Sequence, residues 1–423
     1  MHDVAVGPLD RCQISGSENL FEAIDLGYQP PCDALLNSLD GPERTYPLKL
    51  MICPDSGLAQ LSYVVDGDEI YPPSYPYRSG ISKPLADYQL AFADGVVSRF
   101  GKGMVVDIGS NDGTLLKGFQ RHGCEVLGIE PTDVAKIAIA DGVPTAQTFF
   151  TEAVAMGLGK AHIVTMTNVF AHMAPLGEVM RGICNLLDSK GVFITESHYL
   201  LDVLQKTQFD TIYHEHIRTY SLKSICKLVE QYGLEVFDVQ RADRYGGNIR
   251  AYVGWRGVHP VSLSVARLLA TEEESGLFSP LSWAGFRGRV CEAREQTMNF
   301  LYRMRREGKA VAGVSAPGRC ATLLNYFGIG PDLLPYLGEL HNSLKLGKYQ
   351  PGCHIPIVSN KRIIEEQPDA VLLMAWHYAE PIVERLRREG YAGDIYAPLP
   401  TFRKVSESFG AGYSISLKIT ACE

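Results

Sequence analysis

Tyr213-His-Glu-His216 puts four polar or titratable side chains in a row, a run that does not suit a packed core. Imidazole takes up a proton near neutral pH and a phenol holds or relays one, so His216 and Tyr213 are candidates for proton transfer. Glu215 can orient a neighbouring ring. Upstream, Asn168-Val-Phe-Ala-His172 follows directly on the apolar run His162-Ile-Val-Thr-Met-Thr167. If that run is a strand of an open α/β sheet, Asn168 and His172 stand at its carboxyl end, where such sheets hold ligands. Plainer readings compete with these: His172 as an ordinary half-buried histidine, and the 213–216 run as a solvated loop. Two histidines two positions apart, with no further ligand set near them, make a weak zinc signature.

A second constellation is Asp107-Ile-Gly-Ser-Asn-Asp-Gly113, which follows the apolar Met104-Val-Val and precedes a helical pattern. Small residues let backbone approach a ligand, and a helix N-terminus offers unpaired N–H groups. Glu130 ends the next apolar run, 17 residues after Gly113. A carboxylate there can accept both hydroxyls of a ribose. The glycine spacing departs from the dinucleotide pattern Gly-x-Gly-x-x-Gly, and Asn-Asp inside the loop suits no pyrophosphate. A cationic amino-acid ligand such as S-adenosylmethionine fits better, because its ammonium seeks acceptors. The expected cofactor positions are Asp107, Gly109, Ser110, Asn111, Gly113, Glu130, Pro131 and Asn168. The plain alternative is a tight β–α turn with a solvated Glu130.

These residues need elements to hold them. Helical patterns are expected at 84–100, 114–122, 134–141 and 176–187, and strands at 104–109, 125–130, 162–167 and 191–196. Strands alternating with helices imply a parallel sheet covered on both faces. After a long charged helical stretch at 284–308 the alternation restarts, with strands expected at 310–314, 336–339, 369–374 and 394–398. The Tyr/Pro-rich segment 71–77 reads as a linker, since proline blocks regular pairing. The expected division is a small N-terminal domain (1–70), a doubly wound α/β domain (71–256) and a second Rossmann-like α/β domain (257–423).

The chain has 423 residues, 46% hydrophobic and 21% charged, with a formal charge of −8. It holds enough apolar residues for more than one core, and its acidity argues against a nucleic-acid partner. No apolar run is long enough to span a membrane, and the N-terminus does not resemble a secretory signal. Ten scattered cysteines suit free thiols in a reducing cytoplasm.

Read together and in order, four motifs carry a resemblance: 107–113, Asn168-x-x-x-His172, Tyr213-His-Glu-His216 and Gly313-x-x-Ala-Pro-Gly318. Ile329-Gly-Pro-Asp332 and Lys348-Tyr-x-Pro-Gly-x-His-Ile-Pro356 extend it over nearly the whole chain. The chain resembles the nucleotide-sugar C-3′-methyltransferases of branched deoxysugar biosynthesis. That resemblance implies a monomer of three parts: a zinc domain, a class I S-adenosylmethionine domain and a Rossmann-like domain for the nucleotide sugar. It implies His216 as general base and Tyr213 as proton relay or enolate stabiliser. Glu215 and His172 would support them, and Tyr75 or Tyr77 would cap the site; the side-chain amide of Asn168 is a further candidate donor to an enolate oxygen. The implied substrate is a 4-keto-deoxyhexose on dTDP, with GDP or CDP as alternatives.

On the C-terminal side, Ser315-Ala-Pro-Gly-Arg-Cys-Ala321 follows a strand and opens a helix, so its N–H groups can face phosphate. Arg319 is expected to pair with phosphate as a planar fork. Ser315, Gly318, Asn325, Glu339, Arg250 and Tyr245 complete the expected substrate set. One departure from the family concerns the metal. Its zinc domain opens with two Cys-x-x-Cys pairs, whereas this chain has Cys12-Gln-Ile-Ser15 and Cys53-Pro-Asp-Ser56. A serine hydroxyl stays protonated and binds zinc poorly, so no metal is expected, and Leu20, Phe21, Ile24, Leu26, Leu48 and Leu50 would hold this part. The competing functions are an O- or N-methyltransferase on another small molecule and a non-catalytic protein binding two ligands. A nicotinamide-dependent oxidoreductase is disfavoured by the glycine spacing.

Overall fold

The computed structural model describes residues 6–71, 78–80 and 83–405. The N-terminal part is antiparallel. A short strand β1 (Gly7–Pro8) is followed by β2 (Phe21–Gln29), β3 (Tyr46–Ile52), β4 (Ala59–Leu61) and β5 (Tyr63–Val64), with β1 paired to β5. Leu48, Leu50 and Ile52 of β3 recur at the strand period of two and are fully buried, as are Ile24 and Leu26 opposite them. Leu20 and Phe21 pack against this core from its partly buried margin.

The middle sheet is built from β6 (Met104–Ile108), β7 (Glu125–Ile129), β8 (Thr145–Ala146), β9 (Ala161–Thr167) and β10 (Leu187–His198). The strand β11 (Arg218–Thr219) leaves this sheet altogether and pairs with β4, becoming the edge of the N-terminal sheet. β12 (Leu234–Ala242) and β13 (Asn248–Trp255) then return, giving the order β12-β13-β10-β9-β6-β7-β8 with β13 alone antiparallel. The helices expected here are Lys83–Phe100, Thr114–Arg121, Ala135–Ala140 and Leu176–Leu186. Leu115, Leu116 and Phe119 supply the buried stripe of the second of these. The chain goes one way from β6 to β7 and the other way from β6 to β9, so a crevice opens above their carboxyl ends.

The helix Leu263–Glu274 lies against β12, and its buried Glu272 accepts from the N–H groups of Leu222 and Lys223 at 2.6 and 3.0 Å. The segment after residue 257 therefore first covers the middle sheet. The charged helix Pro280–Arg306 follows, with Ser279 capping its start and Pro280 at its first position. It leads into β14 (Val311–Val314), β15 (Leu337–Glu339), β16 (Ile357–Ser359), β17 (Ala370–Leu373), β18 (Asp394–Ala397) and β19 (Arg403–Lys404). Their order is β16-β15-β14-β17-β18-β19, parallel except for the last pair. The fold is thus α/β, a doubly wound sheet flanked by a small antiparallel part and a second α/β sheet. The carboxyl edges of the two parallel sheets border one cavity of about 640 Å³. Among the described residues, no helix is long and apolar enough to cross a membrane.

Candidate active site

The 213–216 run is held from both sides. The 3-10 turn Phe209–Thr211 precedes it, and β11 carries the chain into the N-terminal sheet directly after it. Asp210 of that turn is fully buried and accepts from Arg319 and from the Trp376 indole at 2.8 Å. His214 faces the N-terminal sheet and donates to the Pro47 carbonyl at 3.3 Å. Tyr213, Glu215 and His216 line the cavity.

His216 is buried, and its Nδ1 lies 2.7 Å from the Thr211 carbonyl oxygen. A carbonyl only accepts, so Nδ1 carries the proton and Nε2 keeps a free lone pair. Burial pushes this imidazole down to about 4, with the Thr211 bond opposing and Arg319 adding to the effect. It is therefore neutral and able to accept at pH 7. Tyr213 lies against it, the rings tilted 33° with centroids 3.9 Å apart. Burial, then Cys32, Glu215 and Asp33 nearby, hold the Tyr213 phenol well above its usual range, so its O–H is retained as a donor. His172 lies 5.0 Å from His216, ring to ring, and the Tyr71 hydroxyl meets its Nδ1 at 2.8 Å. His198 also lies close, 4.8 Å from His216 ring to ring. Glu215 accepts from the Cys32 thiol at 3.2 Å.

The glycine loop forms the floor of the cavity's other half. Gly109 has φ +74°, and a Cβ there would meet Val169 Cγ2 at 2.4 Å. Glu130 accepts from the Asn111 N–H at 3.1 Å and from Thr132 N and Oγ1 at 2.9 and 2.7 Å, fixing a carboxylate in the wall. Asp107 is buried beside it, accepts from Thr165 Oγ1 at 2.6 Å, and is pushed up to about 7 by burial. Asn168, a cavity-lining residue, has φ +57°, and its Oδ1 accepts from Asn248 at 3.0 Å, which leaves its amide nitrogen as the remaining donor. That nitrogen and the Ser110 hydroxyl are buried without a partner among the described residues. Acceptors and orphaned donors together fit the amino-acid end of S-adenosylmethionine, and Glu130 fits its ribose. Pro131 also lines the cavity.

Several expected site residues have other duties. Gly113 does not line the cavity; its αL backbone starts the helix Thr114–Arg121, against Ala138 and Val143. The carboxylate of Asp112, in the Asn-Asp pair, is spent on Ser79, Gly80 and Thr114. Arg319 lines the cavity, but its guanidinium forks onto Asp210 at 2.8 and 2.6 Å and reaches the Tyr245 carbonyl at 3.1 Å. A guanidinium so engaged is a joint, not a free phosphate fork. Arg250 is buried on Glu196 at 2.8 Å and over the Phe92 ring, away from the cavity. Asn325 bonds the Ala321 and Pro351 carbonyls, and Glu339 accepts from Ala316 N and Leu340 N at 2.7 Å each. These two and Ser315 lie outside the cavity lining, whereas Gly318 and Tyr245 belong to it. Tyr75 and Tyr77 lie outside the described residues. Tyr71, in the same aromatic segment, bonds His172, a contact that no sequence pattern signals. His198, Asp33, Lys345, His377 and Tyr378 also line the cavity unforeseen. For His198 alone a sequence signal existed, its place at the end of a strand.

The N-terminal knuckles keep their shape without their full donor set. Cys12 Sγ lies 3.1 Å from Ser56 Oγ, and Ser15 Oγ lies 3.6 Å from Cys53 Sγ. Both tight turns close on backbone bonds, Gly16 N to Cys12 O and Gly57 N to Cys53 O, each 2.8 Å. Two thiols and two hydroxyls do not fit a structural zinc, which takes thiolate or imidazole ligands. Cys32, Asp33 and Glu215 also have ligand atoms within 4.8 Å of one another. There the Lys345 ammonium already occupies Asp33 at 2.7 Å, so a cation would have to displace it.

Comparison with known proteins bears on all three parts. Residues 12–71 match the model of a putative zinc binding domain, 83–239 a methyltransferase domain, and 243–400 a C-methyltransferase C-terminal domain. The C-methyltransferase NovU of Streptomyces niveus is 32% identical over 418 residues, covering 96% of this chain and 99% of NovU. Among solved structures, the glycopeptide N-methyltransferase MtfA complexed with S-adenosylmethionine is 12% identical, with a TM-score of 0.32 over 40% of this chain and 94% of that one. An S-adenosylmethionine-dependent methyltransferase from Clostridium acetobutylicum is 14% identical, with a TM-score of 0.32 over 41% and 91%. The chain belongs to the S-adenosylmethionine-dependent C-methyltransferase family.

Proposed function

We propose that the protein methylates the third carbon of a nucleotide-linked 4-keto-deoxyhexose, with dTDP as the first candidate carrier and GDP or CDP as alternatives. In this reading residues 1–70 brace the base, 71–256 hold the methyl donor and 257–423 hold the nucleotide sugar. The observation that carries it is His216, a buried neutral imidazole whose Nδ1–H is tied to Thr211, leaving Nε2 as a lone acceptor in the cavity.

Methylating carbon requires a carbanion. A C–H next to a ketone supplies one, because its electrons can move onto the carbonyl oxygen as an enolate. Bound S-adenosylmethionine supplies a methyl group on a sulfonium. His216 Nε2 takes the proton, and the O–H of Tyr213 or the amide of Asn168 donates to the developing oxyanion. With the donor already activated, alignment and the proton path are what remain for the protein.

The test is to incubate the protein with a 4-keto nucleotide sugar in deuterated water. Exchange of the third-carbon hydrogen without methyl donor, and methylation with it, are expected. His216→Asn should abolish both while still binding S-adenosylhomocysteine. An O- or N-methyltransferase would methylate its substrate with no such exchange, and full activity in the His216 variant would remove the base assignment.

A further inference from the structure

C-methylation has a proton balance. A C–H bond is replaced by a C–C bond to the methyl group, and the sulfonium charge is lost as the donor becomes a thioether. One proton must therefore leave the protein in each turnover. His216 receives it in a site where burial disfavours the imidazolium, and its other nitrogen is committed to Thr211. The base needs somewhere to send what it takes.

We propose that His198 is the proton-relay residue that drains His216, passing the proton toward the side of the cavity formed by the C-terminal sheet. This rests on the C-methylation reading above. His198 is the last residue of β10, so strand geometry fixes it at the carboxyl edge. Its ring centroid is 4.8 Å from that of His216, near enough for one water to bridge their ring nitrogens. Its ring makes no hydrogen bond among the described residues. His172, the other histidine beside His216, is committed to Tyr71.

On the side of the C-terminal sheet, Tyr245 stacks on His198 at 5.9 Å, Tyr378 meets Tyr245 at 6.2 Å and His377 meets Tyr378 at 4.5 Å, a row of rings that walls the part of the cavity into which His198 releases the proton. His377 and Tyr378 line the cavity and are half-buried there. Burial, with His216, Arg319, His172 and His377 around it, keeps His198 neutral and thus able to accept. In the step, the N–H bond on His216 Nε2 breaks as an N–H bond forms on His198. The opposite nitrogen of His198 then releases its own proton, and tautomerisation resets the ring.

His198→Gln keeps polarity but cannot carry a proton, and His198→Ala opens space for a small base. Each should lower kcat by about tenfold or more with KM little changed, and should slow hydrogen exchange at the third carbon to a similar extent. Added imidazole should restore His198→Ala in a concentration-dependent way. S-adenosylhomocysteine binding and thermal unfolding, measured on both variants, identify whichever has folded. Wild-type rates in a folded variant, or a loss that imidazole leaves unmoved, would overturn the relay. If the wild-type protein neither exchanges nor methylates any 4-keto nucleotide sugar, the parent reading fails and takes this inference with it.

Discussion

Individual side chains divide into those legible from their neighbours in sequence and those set by distant partners. His216 is legible from the polar run that holds it, although His214, Glu215 and His216 are all buried at the cavity wall. Arg319 is set by a distant partner: its guanidinium pairs with Asp210, 109 positions away in the chain, which no local pattern around it signals. Asp107 is a similar case: its buried position beside Glu130 is a fact of the fold. Its carboxyl is pushed up to about 7, so it is neutral below that pH and charged above it. A cationic ammonium favours the charged form, so S-adenosylhomocysteine should bind more tightly as pH rises from about 5.5 to 7.5. Calorimetric titration across that range should show the trend in the wild type and a flat response in Asp107→Asn. A trend that persists in the variant would assign it elsewhere.

Elements were legible where hydrophobic period and turn chemistry agreed. The β–α alternation of both parallel sheets followed from apolar runs ending at small residues. Less visible were the N-terminal strands, whose short alternating segments give little periodicity, and β13, which runs antiparallel between two strands. The knuckles are an element whose geometry outlasts its chemistry. Ser15→Cys with Ser56→Cys should restore a four-thiol set and let the protein bind one equivalent of zinc, seen by elemental analysis after purification and lost to chelators. Stoichiometric zinc in the unaltered protein would contradict that account. Gly109→Ala should destabilise the fold by about 1–3 kcal/mol, because the site combines a left-handed backbone with contact on Val169. Denaturant unfolding measures this, and an unchanged midpoint would show that Val169 yields freely.

At the scale of the whole molecule, the three parts are joined by buried charge. Asp210–Arg319 links the middle part to the C-terminal sheet, and Asp33–Lys345 links the N-terminal part to it, both at the cavity wall. No sequence pattern announces such pairs, since the partners lie more than a hundred positions apart. Asp210→Ala should cost about 3–5 kcal/mol in unfolding, because it strands a buried guanidinium. Retained stability would place the joint elsewhere.

The crossing of β11 into the N-terminal sheet bears on how this enzyme can be cut. Arg218, on that strand, is buried and bonds both Gln13 and the Met173 carbonyl, two residues beyond His216. Deleting the first seventy residues would strip β11 of its neighbour and slacken the backbone that aims the imidazole. The leading segment, which looks like a dispensable accessory, is a wall of the reaction chamber, and a truncated enzyme would fail at chemistry before it failed at holding its cofactor.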